Sequence, residues 1–579
     1  MPSLEELQFS VDVAMGRKPA TVLLKNARLV NVFSLEVQET NVLLAGRLVA
    51  AVGREFADAP AETVVDLEGR YVAPGLVDGH LHLESSLVTP TEYARAVLPR
   101  GVTGCVADPH EIGNASGVAG IEWLIEASEG LPLEVWICVP SSVPATPLET
   151  TGYSLGLAEI EHLLSHPRVV GVAELMSFPA ILAADGLELA KVLLAEKYGK
   201  TPEGHAPTLM GRPLQAYLST GIVSDHESTH LAEGRAKLEA GCFLMVREGS
   251  TTRNLEALVS LIDPKHADRV GLVTDDRLPS DLLSEGGVDF LVRKAISLGV
   301  DPVFAVRAGS WNVARHYRLT RRGAVAPGYQ ADLVILDDLE RFHAVAVYHA
   351  GQKVAENGQL TVSLPKTKLS EVVSHTVKLP ELTPADLRIP AVSGEVRVVR
   401  AIPHQVLTAE DRVVPTVEDG AIVADPGRDL AKLVCLERYG KNGQVGKALV
   451  TAFGIQRGAL ACTVGHDHHN LMAVGVSDAD LITAAKRLEA LGGGMVAVAD
   501  GEVLAELALP ISGLITDEPL DAVNARLEAL NAAATSLGVT MPDPYMVLSF
   551  LGLAVIPELR LTDYGLVDVL KGELVGLEV

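Results

Sequence analysis

Apolar residues along this chain come in short runs cut by turn residues, and the rhythm of the runs changes twice. Within 20–72 they read TVLLKNARLVNV, TNVLLAGRLVAAVG and TVVDLEGRYVAPG. Strand-length segments between Gly- and Asn-bearing turns predict an antiparallel β-unit. The same pattern returns at 323–360 in GAVAPGYQADLVILDDLERFHAVAVYHAGQKVAENG. Matching flanks around a long middle predict one small, sandwich-like β-domain built from residues 1–72 and 319–365. The middle, 73–318, alternates apolar strand starts with helical patterns. Eight starts stand out: Val72–Val77, Val102–Ala107, Val135–Val139, Val169–Ala173, Thr201–Gly204, Gly221–Ser224, Cys242–Val246 and Val270–Thr274. Such alternation predicts a parallel α/β sheet, and eight units of this length fit a (β/α)8 barrel inserted into the β-domain. The fifth unit is the weakest, because KYGKTPEGHAP is polar and contains Pro202. The alternative, an open doubly wound sheet, lacks the Gly-rich fingerprint expected after its first strand.

Beyond the helix SWNVARHYRL the chain re-enters the β-domain, and a stretch rich in Pro, Ser and Thr at 361–390 reads as a linker. A C-terminal α/β (α+β) domain over 385–579 follows. Its strands lie in GEVRVVRAI and GMVAVADG, its helices in DLITAAKRLEALGGG and DAVNARLEALNAAATSLG. At 579 residues the chain is too long for one core and suits roughly three or four domains.

A hydrophobic fraction of 48% and a mean hydropathy of +0.25 leave a large core available. No run reaches the roughly 18 apolar residues of a membrane span. The first residues carry Glu5, Glu6 and Asp12 and no compact apolar segment, which excludes a secretory signal. The five cysteines, Cys105, Cys138, Cys242, Cys435 and Cys462, are far apart and mostly set in apolar runs. They read as buried thiols of a reducing cytoplasm rather than as disulfides. A net charge of −26 opposes binding to nucleic-acid phosphates and leaves small molecules as ligands.

The strand ends hold the candidate chemistry, since a barrel keeps its catalytic groups where strands meet loops at the C-terminal face. GLVDGHLHLESS puts His80 and His82 two apart after the first apolar run. On a strand both imidazoles then face one side and can share a metal ion. ADPHEIGN ends the second strand with Asp108, His110 and Glu111, and AELMS ends the fourth with Glu174 and Ser177. GHAP brings His205, SDHES brings Asp225, His226 and Glu227, and TDDR brings Asp275 and Asp276. Singly, each is more often a cap or a surface group. Together, four histidines and two carboxylates at corresponding ends of strands 1, 4, 5, 6 and 8 describe a metal site of mixed N and O ligands. In the C-terminal domain GHDHHN clusters His466, Asp467, His468 and His469, as a surface metal tract, a structural site or a lid over the barrel mouth.

This arrangement resembles the amidohydrolase superfamily, whose barrel carries His-x-His on strand 1, a bridging group on strand 4, histidines on strands 5 and 6 and aspartate on strand 8. APG before the first motif and GYQADLVILD after the barrel are similar to that superfamily as well. The fourth strand has no lysine in VVGVAELMSFPA, only Glu174. With VADPHEIGN, SDHEST and GHDHHN, it makes the chain resemble the bacterial adenine deaminases within that superfamily, over almost its whole length. The resemblance implies two divalent ions, Mn2+ first and Fe2+ or Zn2+ otherwise. One would lie on His80, His82 and Asp275 and the other on His205 and His226, with Glu174 bridging. It further implies that an activated water attacks C6 of adenine and yields hypoxanthine and ammonia for purine salvage, with Asp275 as general base and then acid.

Glu111, Glu227 and His110 are candidates for protonating a ring nitrogen or, equally, for orienting ligand histidines. Asp108, His110, Ser177, His466, Asp467 and His468 are expected around the substrate or behind the ligands, the histidine-rich loop acting as a lid that excludes bulk water. The implied partner is free adenine, without nucleic acid or membrane, and the implied assembly is a homodimer or larger homo-oligomer. A second base-deaminase motif is mimicked by HLE at 82–84 but requires a Cys-x-x-Cys pair that the chain lacks. A cyclic amide hydrolase of dihydroorotase or hydantoinase type, or a deaminase of another aminopurine, is the alternative. A non-catalytic barrel would have lost ligands, and all six are present.

Overall fold

The computed structural model describes residues 2–403 and 405–579. Both β-rich flanks enter one nine-stranded sheet. Ala20–Asn31 pairs antiparallel with Glu36–Ala45, and that strand with Leu48–Gly53. The other edge of Ala20–Asn31 forks. Ala61–Asp66 lies along its first half and Tyr71–Pro74 along its second, both parallel to it. The antiparallel reading of 20–72 is therefore corrected at these two strands. Residues 54–60, opening with a 3-10 turn over Arg54–Phe56, carry the chain back so that it re-enters in the same direction. Tyr71–Pro74 then pairs antiparallel with Leu333–Asp338 from beyond the barrel. Leu24, Leu29, Val42, Val72, Leu333 and Ile335, drawn from both flanks, share one buried core.

The barrel strands are β1 (Leu76–His82), β2 (Val102–Ala107), β3 (Glu134–Pro140), β4 (Val169–Leu175), β5 (Thr201–Gly204), β6 (Ser224–Asp225), β7 (Phe243–Arg247) and β8 (Val270–Val273). Neighbours from β1 to β5 and from β6 to β8 pair in parallel. β6 is shorter than expected and starts at Ser224 rather than Gly221. At the seam between β5 and β6, Val223 N–H donates to the Pro202 carbonyl at 3.3 Å and Gly204 N–H to Ser224 Oγ at 3.2 Å. The circle closes where Asp275–Asp276, just after β8, pairs in parallel with Leu81 and His82.

The polarity of β5 has a physical reason. Its Glu203 is buried, accepts from Ser224 Oγ at 2.6 Å and pairs with His316 Nε2 at 2.6 Å. A strand whose polar group is satisfied by partners far along the chain need not look apolar.

The C-terminal domain is built on an eight-stranded sheet, with Asp478–Leu491 and Leu520–Ser536 as its long helices. It is clamped onto the barrel loops. Thr516 exchanges backbone hydrogen bonds with Leu87 and Thr89 at 2.9 and 3.0 Å. Asn470 Nδ2 donates to the Thr150 carbonyl at 2.8 Å, and the Ser116 and Ser512 hydroxyls meet at 2.8 Å. The stretch 361–390 has little regular structure yet is tied down, Trp123 Nε1 donating to the Lys368 carbonyl at 2.9 Å. Among the described residues no helix is long and apolar enough to cross a membrane.

Beneath the end of β6, Lys237 is fully buried. It donates to Asp225 Oδ2 and Glu233 Oε1, both at 2.8 Å, and to the Ala206 carbonyl at 2.7 Å. Asp225 in turn accepts from Ala206 N–H at 2.8 Å, which ties β6 to the loop after β5. Lys237→Met leaves two buried carboxylates without their cation. The expected cost is about 3–5 kcal/mol, read as a lower midpoint in chemical denaturation; an unchanged midpoint would show that the network adds nothing.

Candidate metal and active site

β1 sends His80 and His82 into the barrel mouth, where the His80 ring stacks on that of His226 at 4.2 Å. Glu174, at the end of β4, stands between the two sides. Its Oε1 lies 3.4 Å from His80 Nε2 and 3.1 Å from His82 Nε2. Its Oε2 lies 3.3 Å from His226 Nε2 and touches His205 Nδ1. Asp275 Oδ1 is 3.1 Å from His82 Nε2 and 3.7 Å from His80 Nε2. All six are buried except His205, whose side chain is 23% exposed. Asp275 has φ 60°, a left-handed conformation uncommon outside glycine, which turns the chain between β8 and its pairing with β1.

The donor set fits a divalent cation. His82 Nδ1–H donates to the Asp108 carbonyl at 3.0 Å, which leaves the Nε2 lone pair facing two carboxylate oxygens. Lone pairs so opposed require a proton or a cation between them. His80 Nε2 and both His226 nitrogens are buried with no hydrogen-bond partner among the described residues. Ligand atoms of His80, Glu174, His226 and Asp275 all lie within 4.8 Å of one another, close enough together to hold a metal ion.

Electrostatics hold the carboxylates ionised. Burial opposes the charge on Glu174, but His226 and His205 outweigh it and keep its carboxyl well below the usual range. Burial likewise opposes Asp275, but the Arg247 guanidinium beside it favours the carboxylate, and its carboxyl lies below the usual range. His226 is pulled down by burial yet pushed up to about 9 by Glu174.

The histidine loop of the C-terminal domain reaches the same mouth. His110 Nε2 is 3.5 Å from Asp467 Oδ1, and Glu111 Oε1 is 3.6 Å from His466 Nδ1. His466 stacks on Phe550 at 4.7 Å. Beside it a cleft between barrel and C-terminal domain is lined by Ser85, Leu87, Leu278, His466, Tyr545 and Met546.

The amidohydrolase family matches residues 71–375, and the adenine deaminase C-terminal domain matches 405–573. Adenine deaminase of Kosmotoga olearia is 44% identical over 569 residues, 98% of each chain. The chain belongs to the adenine deaminase family of amidohydrolases. Adenine deaminase 2 of Carboxydothermus hydrogenoformans is 44% identical over 98% of each chain, and the Methanothrix thermoacetophila enzyme 43% over 96% of this chain and 97% of its own. Amidohydrolases are metal-dependent hydrolases, and the His, Asp and Glu side chains clustered at this barrel mouth could hold a metal ion.

Several positions depart from expectation. His468 is not at the mouth: its Nδ1 accepts from Asn470 N–H at 2.9 Å, and its ring packs against Gly552, within the C-terminal domain. Burial drops it to about 4. His469 takes the inward place instead, grouped with Glu111 and His466. Ser177 is half-buried at the start of the helix Phe178–Leu182, and its side chain makes no hydrogen bond among the described residues. Asp108 lies behind His82, its carboxylate buried and 3.8 Å from His110 Nδ1.

Glu227 is gripped by Arg247, which sequence reasoning missed. This buried guanidinium ends β7, contacts both Glu227 oxygens (Nη2 to Oε2 at 3.0 Å) and donates to Asp275 Oδ2 at 2.8 Å. Its one signal was a charge closing the apolar run FLMVREGS. Glu84 was missed too. It accepts from Ile112 N–H at 3.1 Å, and burial followed by Glu111 pushes its carboxyl upward.

Glu174→Ala should lower the metal content of purified, dialysed protein measured by elemental analysis, because both histidine pairs lose their shared oxygen donor. Arg247→Gln should keep the metal and lower kcat about 10–100-fold. Equal metal in Glu174→Ala and wild type would remove Glu174 from the site.

Proposed function

We propose that this chain hydrolyses adenine to hypoxanthine and ammonia with two divalent ions, Mn2+ first and Fe2+ or Zn2+ otherwise. His80, His82 and Asp275 would hold one ion, His205 and His226 the other, with Glu174 between them. The observation that carries this reading is the division of Glu174, Oε1 towards the His80–His82 pair and Oε2 towards His205 and His226. Bound there, the ions supply Lewis acidity and bring the pKa of a water towards neutrality.

The chain's own groups do the rest. Asp275, kept ionised by Arg247, accepts a proton from the attacking water and returns it towards the leaving amine. Glu111, whose carboxyl burial raises, suits delivery of a proton to a ring nitrogen. Arg247 fixes Glu227 and Asp275 relative to each other. The loop bearing His466 and Asp467 packs over the end of β2 and shields the reacting centre from bulk water.

The rival reading, hydrolysis of a cyclic amide, shares the metal chemistry but draws no support from the C-terminal domain, which matches that of adenine deaminases. Purine salvage in the cytoplasm fits this reading, and all five cysteines are buried and free, as suits a reducing compartment. The assembly we propose, a homodimer or larger, is decided by a mass measurement in solution.

Ammonia release from a panel of adenine, adenosine, other aminopurines and cyclic amides, with Mn2+ supplied, tests the substrate. Adenine should lead the panel. Turnover of a cyclic amide or of adenosine in its place would overturn the reading. Asp275→Asn should abolish measurable turnover, and wild-type rates in that variant would deny it the proton-transfer role.

A further inference from the structure

His469 presents a buried donor that none of the described residues satisfies. The residue is fully buried, and its Nε2 has no hydrogen-bond partner among the described residues. Its tautomer follows from its other nitrogen. Gly465 N–H points at Nδ1 at 3.4 Å. A backbone amide can only donate, so Nδ1 offers its lone pair and the proton of the neutral ring sits on Nε2. Burial, and then the neighbouring His466 and Arg438, hold the ring well below the ordinary histidine range, in keeping with that neutral form.

An Nε2–H cannot ligate a metal, which sets His469 apart from His82, whose Nδ1–H donates and whose Nε2 is free. A buried donor without an acceptor costs about 1–3 kcal/mol, so its retention points to a partner that arrives from outside.

The surroundings of the His469 ring point to what arrives. His469, His466 and Glu111 offer polar atoms within 4.8 Å of one another, and His466 also lines the cleft between the two domains. Through Glu111 and His110 this group adjoins the metal ligands, the His82 and His110 rings lying 4.6 Å apart. The loop is also held rigid from behind. Arg438 Nε donates to the His469 carbonyl, Tyr439 Oη to that of His468 at 2.6 Å, and Arg438 N–H to Asn470 Oδ1 at 3.3 Å. Donors fixed in advance in this way are what recognition of a small planar ligand requires.

We infer that His469 is a specificity-determining residue, donating its Nε2–H to a ring nitrogen of the heterocyclic substrate outside the reacting amidine. This rests on the adenine reading above. It assigns substrate recognition in part to the C-terminal domain.

The test compares kcat/KM for adenine, 3-deazaadenine and 7-deazaadenine in wild type, His469→Phe and His469→Gln, with metal content measured in each. The Phe variant should keep its metal and lose about 10–100-fold on adenine, and Gln, which retains a donor, should recover part of the loss. One deaza base should be penalised in wild type and show no such penalty in the Phe variant, a pattern that a merely structural role would not produce. Should the Phe variant not fold, His469→Leu replaces it. Identical deaza penalties in wild type and variant, or wild-type activity in the variant, would overturn the assignment while leaving the adenine reading intact. A wild-type enzyme inert towards adenine would instead overturn the functional reading, and this assignment with it.

Discussion

Two histidine pairs on opposite sides of a barrel mouth share one carboxylate, and most of the structure serves that contact. Glu174 and Asp275 are buried acids surrounded by imidazole nitrogens, several without a hydrogen-bond partner among the described residues. Buried polar groups left unmatched are costly. A protein keeps them together only where something is bound between them, and here the chemistry of the donors calls for cations.

The surrounding structure holds this costly set in place. Parallel pairing of Asp275–Asp276 with the end of β1 carries Asp275 to His80 and His82. Lys237 and Asp225 lock the segment that bears His226, and Tyr217 Oη, which accepts from His205 N–H at 3.0 Å and donates to the Leu175 carbonyl at 2.9 Å, links β4 to β5. Arg247 balances Asp275 and Glu227 from a third side. His466 and Asp467 of the C-terminal domain meet Glu111 and His110 just past the end of β2.

Much of this was legible in the sequence because the informative residues obey strand geometry. His80 and His82 are two apart on a strand, and of the other candidate ligands Glu174, His226 and Asp275 sit just past apolar runs, where a parallel barrel gathers them, whereas His205 follows the polar β5. What escaped lacks a period or depends on distant partners. The polar β5, whose Glu203 finds Ser224 and His316, gave the faintest strand signal but lies at Thr201–Gly204 as expected. Arg247 is a single charge whose two acid partners lie on other strand ends. Within GHDHHN no periodicity says which imidazole turns inward, so His468 was favoured over His469. In the first β-unit, the direction of Ala61–Asp66 was set by a crossing of residues 54–60 that carries no strand signal of its own.

The most direct test of the central claim is anomalous diffraction from crystals of the Mn2+-loaded protein. Two peaks should appear in the barrel mouth about 3.5–4 Å apart, one beside His80 and His82, one beside His205 and His226, with Glu174 between. Peaks only at surface acids, or none within reach of these six side chains, would contradict the account.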